Sequence, residues 1–268
     1  MTMDRADVLR AGDLNLVEVL RHFARSQPAG VVHEEAGIVC FAGSPVWPGP
    51  FDNGAFVLAA RVEPREAVER ATRFFDGLRP GYCIWSAEHH DPGVARAAEA
   101  AGLVSMGEGP PQMVLDHRLP DAVAPEGVQL RPVVDDETRR DYLAVLADSF
   151  TTTQGTPAEV LEGNFGHVDA LHGPNVRAVV ASLDGEPAAG AFVLVSHGVA
   201  GVQYVGTVER ARGRGLGELV TRWVSNAGFD LGARIAALQA SEMGEPVYRR
   251  MGYETVSRYS FWMGPAPH

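Results

Sequence analysis

The sequence predicts an α/β protein assembled from two related halves. Three observations lead there. Short apolar runs rich in β-branched residues alternate with longer stretches of helical period, the pattern of sheets covered by helices. A segment with two prolines and no periodicity, His117 to Gly127, interrupts that alternation near the middle of the chain. The order of elements before the interruption then recurs after it. Each half ends strand, helix, strand, helix, Gly, strand, and Ala101-Gly102-Leu103 stands where Met251-Gly252-Tyr253 stands 150 residues later. The expected division is residues 1–118 and residues 126–268.

In the first half, Leu14, Leu16, Val17, Val19, Leu20 and Phe23 form an apolar stripe that predicts a helix over 13–25. Strands are expected at Gly30 to His33 and Gly37 to Ala42. A loop with three prolines, Gly43 to Gly54, follows and leads into a strand from Ala55 to Arg61. Glu63-Pro64 opens a helix to about Leu78, because proline suits a first helical turn. Tyr82 to Trp85 reads as a strand, Pro92 to Ala101 as a helix closed by Gly102, and Met113 to Leu115 as the core of a last strand.

The second half opens with a strand, Val128 to Val133, and a helix from Asp135 to Phe150 whose acidic start suits the helix dipole. Thr156-Pro157-Ala158-Glu159 has the spacing of a capping box and predicts another helix. Asp184-Gly185 between two apolar runs, Val176 to Leu183 and Ala188 to Val195, is a hairpin signal, since Asp-Gly supplies the positive φ angles of a type I′ turn. A strand ending at Val208 comes next. After it, Leu216, Leu219, Val220, Trp223, Val224, Ala227 and Leu231 mark one face of a helix. Arg234 to Ala240 is a buried strand, a short helix leads to Gly252, and Tyr253 to Met263 is the final strand.

Composition narrows the function. With 34 acidic against 23 basic residues, the net charge of −11 argues against a nucleic-acid binder. Every basic residue is arginine, so no lysine can serve as a P-loop cation, Schiff base or general base. Cys40 and Cys83 sit in apolar runs and read as buried free thiols, with no zinc pattern and no metal expected. No basic-then-apolar leader and no run of about 18 apolar residues is present, so a cytoplasmic protein without a membrane span is expected. His89, His90 and His167 fall in loops and are expected at the surface.

One stretch carries the chemistry: Arg210-Ala211-Arg212-Gly213-Arg214-Gly215-Leu216-Gly217, between a strand and a helix start. A glycine-rich turn there exposes backbone N–H groups at the positive end of a helix dipole, which is a phosphate cradle. Three ligands compete, against a surface turn with chance arginines. A P-loop requires Gly-Lys-Ser/Thr, which is absent. A dinucleotide turn requires G-x-G-x-x-G, and Glu218 holds the third glycine position. An acyl-CoA pyrophosphate turn, Q/R-x-x-G-x-G/A, is matched by Arg212, Gly215 and Gly217.

Downstream, Ala240-Ser241-Glu242-Met243-Gly244-Glu245-Pro246-Val247-Tyr248-Arg249-Arg250-Met251-Gly252-Tyr253 places a tyrosine four residues before a Gly-aromatic pair. Turn, strand and Tyr-x-x-x-Gly-aromatic helix, in this order and spacing, resemble the GNAT superfamily of N-acetyltransferases over about residues 126–263. The first half resembles the degenerate GNAT-like halves of tandem members. Its matching turn, Val62-Glu63-Pro64-Arg65-Glu66, has no glycine, and Ala98 stands at the place of Tyr248. The resemblance implies two GNAT-like domains, each a mixed, largely antiparallel twisted sheet flanked by helices. It implies acetyl transfer from acetyl-CoA to the amine of a small molecule or peptide. Gly213, Gly215, Leu216 and Gly217 would meet the pyrophosphate with Arg212 or Arg214. Thr207, Val208 and Ser241 would meet the pantetheine arm, and Tyr248 would be the general acid. Some members carry a general-base glutamate where this chain has Ala236, which leaves Glu242, Glu209 or a water chain as the candidate base, and keeps a non-catalytic acyl-CoA sensor or scaffold as the alternative. The acceptor would meet residues between Phe150 and Phe165, or the Gly43–Gly54 loop of the first half, and the protein is expected to be a monomer or homodimer.

Overall fold

The computed structural model describes residues 3–264 other than 59–61, 77, 79–80, 90–92 and 122. Along the chain run α1 (Arg5–Ser26), β1 (Val31–Glu35), β2 (Ile38–Ala42), β3 (Asn53–Val57), α2 (Pro64–Phe75), β4 (Cys83–Ala87), α3 (Gly93–Ala100) and β5 (Val104–Leu115). There follow β6 (Val128–Pro132), α4 (Asp136–Gln154), α5 (Ala158–Phe165), β7 (Val176–Leu183), β8 (Glu186–Ser196), β9 (Val199–Thr207), α6 (Leu216–Asp230), β10 (Ile235–Gln239), α7 (Glu245–Met251) and β11 (Glu254–Met263). Each half is a mixed, largely antiparallel sheet flanked by helices, as expected. The chain divides into two compact units, one of residues up to Gln112 together with those from Thr255, the other Met113–Glu254.

In the first unit the strand order is β1-β2-β3-β4-β11-β5. The period-two alternation of β2 feeds two cores. Ile38, Cys40 and Ala42 pack with Ala55, Ile84 and the buried faces of α2 and α3. Val39 and Phe41 pack on the other face with Phe56, Trp85, Tyr259 and the apolar stripe of α1. The Trp85 indole donates to the Pro50 carbonyl at 2.9 Å, which fastens the proline-rich loop to this core. The final strand therefore completes the first unit. Its Tyr259 is fully buried and donates to Asp13 of α1 at 2.7 Å, and Ser257 lies 2.6 Å from His89 Nδ1. His89 is thus no surface side chain: its Nε2 stands 2.7 Å from the buried Asp13. His167 is exposed, and His90 lies outside the described residues.

In the second unit β6, β7, β8 and β9 are successive antiparallel neighbours, and β10 runs parallel to β9. Tyr142 and Phe165 from α4 and α5 cover one face with Phe192. On the other face α6 presses so close that a Cβ on Gly228 would lie 2.3 Å from that of Ala200. The segment expected as a linker is held in part. Leu119 is buried, and its N–H and C=O both bond the Asn226 side chain on α6 at 3.0 Å.

Several boundaries differ from expectation. α1 starts eight residues early, capped by Asp4, whose carboxylate accepts from the Asp7 amide; the buried polar Asp13 and Asn15 blur its period. No capping box forms at Thr156, because α5 begins after Pro157 without a side-chain cap. The capping box belongs instead to α4, between Asp135 and Thr138. α4 also continues past Phe150 through three threonines, of which Thr152 and Thr153 return their hydroxyls to carbonyls four residues back, and Gly155 closes it at φ 69°. β5 is far longer than its apolar core because its first residues are exposed. β3 starts at Asn53, and the last residues expected in that strand, 59–61, lie outside the described ones.

Burial pushes the thiols of Cys40 and Cys83 up to about 12. At pH 8 only about one part in ten thousand of each would be thiolate. We expect neither to react with Ellman's reagent in the native protein within an hour, and both to react in guanidinium chloride; rapid native labelling would contradict the packing of both strands.

Candidate functional site

The site forms where β9 ends and α6 begins. After Thr207 the chain makes a single 3-10 turn, Glu209–Ala211, then passes Arg212 in extended conformation. Gly213 and Gly215 follow at φ 75° and φ 77°, a left-handed backbone that side chains rarely adopt. A Cβ on either would meet no protein atom within 4 Å, so both positions face open space. The first α6 donor taken up by the helix is the Leu219 amide, on Gly215 O at 3.0 Å. The amides of Leu216, Gly217 and Glu218 therefore have no partner inside the helix and point out of its N-terminus. They open on a cleft of about 370 Å³.

Thr207, Arg212, Gly213, Gly215, Leu216 and Gly217 line this cleft, together with Ser241 and Tyr248. Val208, Arg214 and Glu242 do not line it: Val208 is buried with its amide bonded to Ala188 O at 2.9 Å, and the other two are exposed. Arg210 is turned away, paired with Glu186 at 3.1 Å and bonded to Pro187 O. The one carboxylate on the described wall, Glu218, is held by Arg222 one turn along α6 at 2.8 Å, which offsets its charge beside the cradle. Glu209 is exposed, and its amide donates to Asp148. Ala236 is fully buried in β10.

Sequence reasoning did not single out Ser149, Met243, Val247 or Arg250 as part of this wall. Arg250 sits two residues after Tyr248 on α7 and brings a second arginine to the cleft; on a helix an arginine reads as a solvated face. Met243 is 65% exposed on the loop before α7.

β9 is interrupted close to the cleft. Its register against β8 shifts between Gly190 and Phe192, where Tyr204 and Val205 stand against the single Ala191, a bulge. Tyr204 takes φ 48°, unusual for a bulky residue. The bend is braced by Phe150 and Phe165, whose rings lie 5.3 and 4.9 Å from that of Tyr204, and by Asn164, which donates to its hydroxyl at 3.1 Å. Pairing of β10 with β9 reaches only Ala237 and Gly201. Beyond it, Gln203 donates to Gln239 at 2.6 Å across the parting strands.

On α7 the ring of Tyr248 lies over Gly244, where a Cβ would stand 2.8 Å from the ring. Burial pushes the Tyr248 hydroxyl up to about 12, a rise that the nearby polar Thr221 side chain partly opposes. Tyr248 is therefore protonated at neutral pH and able to donate. In the first unit the corresponding helix start is closed by its own chain: the Glu63 carboxylate accepts from the amides of Arg65 and Glu66 at 2.9 and 3.2 Å. Among the described residues no group of three or more His, Cys, Asp or Glu is placed to hold a metal ion. No helix of the described chain is long and apolar enough to cross a membrane.

Comparison with known proteins agrees with this geometry. Residues 118–239 match the model of the acetyltransferase (GNAT) domain family. No curated protein matches the chain. Among solved structures, a GCN5-related N-acetyltransferase from Kribbella flavida is similar over 96% of both chains, at 23% identity and a TM-score of 0.72. One from Sphaerobacter thermophilus is similar over 86% of this chain and 81% of its own, at 16% identity and a TM-score of 0.61. A tandem GNAT protein from the clavulanic acid biosynthesis pathway matches over 99% and 98%, at 18% identity and a TM-score of 0.59. The cradle and most of the cleft wall lie within the segment, residues 118–239, that is similar to the acetyltransferase (GNAT) domain family.

Proposed function

We propose that this protein transfers an acetyl group from acetyl-CoA to the amine of a small molecule or peptide, at one site per chain. The observation that carries the proposal is the unpartnered helix start at Gly213–Gly217 opening into the same cleft as the buried, protonated Tyr248. Acetyl-CoA is the substrate that supplies an activated acyl group as a thioester. Its pyrophosphate suits free amides at a helix N-terminus, with Arg212 and Arg250 adding charge-assisted bonds. The donor for the developing oxyanion is expected from the backbone of β9 at its bulge, since the Val208 amide is engaged by Ala188. Tyr248 then gives its proton to the departing thiolate.

With Glu218 tied to Arg222 and Ala236 in place of a glutamate, the proton of the attacking amine leaves through water rather than to a wall carboxylate. The first unit is read as a degenerate copy, because Glu63 fills the place of the anion and Ala98 the place of the tyrosine. The test is release of CoA thiol from acetyl-CoA in the presence of an amine panel that includes a polyamine, an arylalkylamine, an aminoglycoside and a short peptide. Turnover with any of them supports the proposal. Binding of acetyl-CoA without turnover on any would make the protein an acyl-CoA sensor.

A further inference from the structure

Four non-glycine residues of the described chain take a positive φ. Ala36, Asp184 and His197 each precede a glycine in the two-residue turn of a hairpin, where that conformation is ordinary. Tyr204, at φ 48°, lies inside β9 instead. A bulky residue in that conformation is strained, and it persists only where its surroundings enforce it. Here they do. The buried Asn164 side chain donates to the Tyr204 hydroxyl at 3.1 Å. The Phe165 ring meets that of Tyr204 edge-on at 4.9 Å, and the Phe150 ring lies at 5.3 Å. Tyr142, fully buried on α4, brings its hydroxyl to the Tyr204 carbonyl at 3.4 Å. α4 comes this close because the paired Gly190 and Gly206 flank the bulge. A Cβ on Gly190 would lie 2.6 Å from the Tyr142 ring, and one on Gly206 would lie 2.4 Å from Ser149 Oγ.

The strained residue stands directly behind the cleft. Tyr204 does not line it, but the three residues that follow, Val205, Gly206 and Thr207, do, and so does Phe150. The peptide joining Tyr204 to Val205 takes its direction from the Tyr204 backbone. With the Tyr204 carbonyl turned to Tyr142, a trans peptide turns the Val205 amide the opposite way. Strain held in place beside a ligand cleft is a form of preorganisation. Resting on the acetyltransferase reading of the site, we infer that Tyr204 is a positioning residue: its side chain, clamped by Asn164, Phe150 and Phe165, holds β9 in the bulged conformation that aims a backbone donor at the thioester carbonyl.

Three single variants and one double variant test this. Each is compared with the parent in kcat for thiol release from acetyl-CoA, with the best amine of the panel, and in the Kd of CoA by calorimetric titration. Asparagine takes a positive φ more readily than most residues but has no ring to clamp. Tyr204→Asn should therefore relieve the strain, lose the clamp and lower kcat by about a hundredfold, as when one oxyanion donor is displaced. Its Kd for CoA should stay within about twofold of the parent, because the interaction lost is one made in the transition state and the Gly213–Gly217 cradle is untouched. Tyr204→Phe keeps the ring and Asn164→Leu keeps the bulk. Each should lower kcat by about fivefold, the range of one neutral hydrogen bond. The double variant should be no slower than the slower single one, because both changes cut the same bond. A Tyr204→Asn protein within about twofold of the parent kcat would overturn the inference and leave the acetyltransferase reading standing. So would losses that multiply in the double variant, or a loss of CoA affinity that matches the loss of kcat. No thiol release by the parent with any amine of the panel would remove the acetyltransferase reading, and the inference with it.

Discussion

Replacing Gly215 by valine is expected to abolish the thermal stabilisation that acetyl-CoA confers on the parent protein. A ligand that binds only the native state at a hundred times its Kd adds about 2.7 kcal/mol. The valine methyls would not collide with the protein, since a Cβ at Gly215 meets nothing within 4 Å. They would project from the cradle wall, into the space a diphosphate must enter to reach the amides. The backbone contributes a separate effect: holding a β-branched residue at φ 77° costs roughly 1–2 kcal/mol. The variant should therefore melt a few degrees lower, by roughly 2–4 °C per kcal/mol in a protein of this size, and gain nothing from ligand. Gly232→Val is the control. Gly232 also has a positive φ, 93°, and also faces open space, but it lies beyond the far end of α6. It should share the loss of stability and keep the response to acetyl-CoA. If Gly215→Val still responds, the cradle is misplaced.

Ending the chain at Glu254 is expected to unfold the first unit and spare the second. That truncation removes β11 from between β4 and β5. It takes away Tyr259, whose ring stacks edge-on with Trp85 and Phe56, along with Phe261 against Trp85. It also removes the hydroxyl donated to the buried Asp13. Deleting one buried aromatic side chain costs about 3–5 kcal/mol, against a total stability of about 5–15 kcal/mol for a domain. Loss of the near-UV circular dichroism of the Trp85 cluster, with residues 113–254 still protected from proteolysis, is the expected result. Tyr259→Phe is the gentler version and should cost about 1–3 kcal/mol in chemical denaturation, since a buried carboxylate loses one donor. A truncated chain that keeps the first unit folded and loses the second would return β11 to the half that precedes it in sequence.

That reassignment marks where local signals stop. Alternation in Val39 and Phe41, the Asp-Gly hairpin and the stripe from Leu216 to Leu231 are properties of short windows, and each produced its element. Which unit receives β11 is decided by long-range packing of Tyr259 and Ser257 on α1 and His89, and no window contains those partners. The same holds for His89, which reads as a loop residue until Asp13 is brought beside it. Thr156 had the spacing of a cap, but Pro157 moved the helix start. At the site, Gly213, Gly215 and Tyr248 were legible because their chemistry depends on spacing within a few residues. Arg250, Met243 and the bulge at Tyr204 were not, because they reach the cleft through the path of α7 and a shift in the pairing of β9.

Calorimetric titration of the full chain with CoA tests the central claim most directly. The account predicts saturable binding of one CoA per chain, lost in Gly215→Val and kept in Gly232→Val. No binding, or two equivalents per chain with one surviving in Gly215→Val, would contradict it.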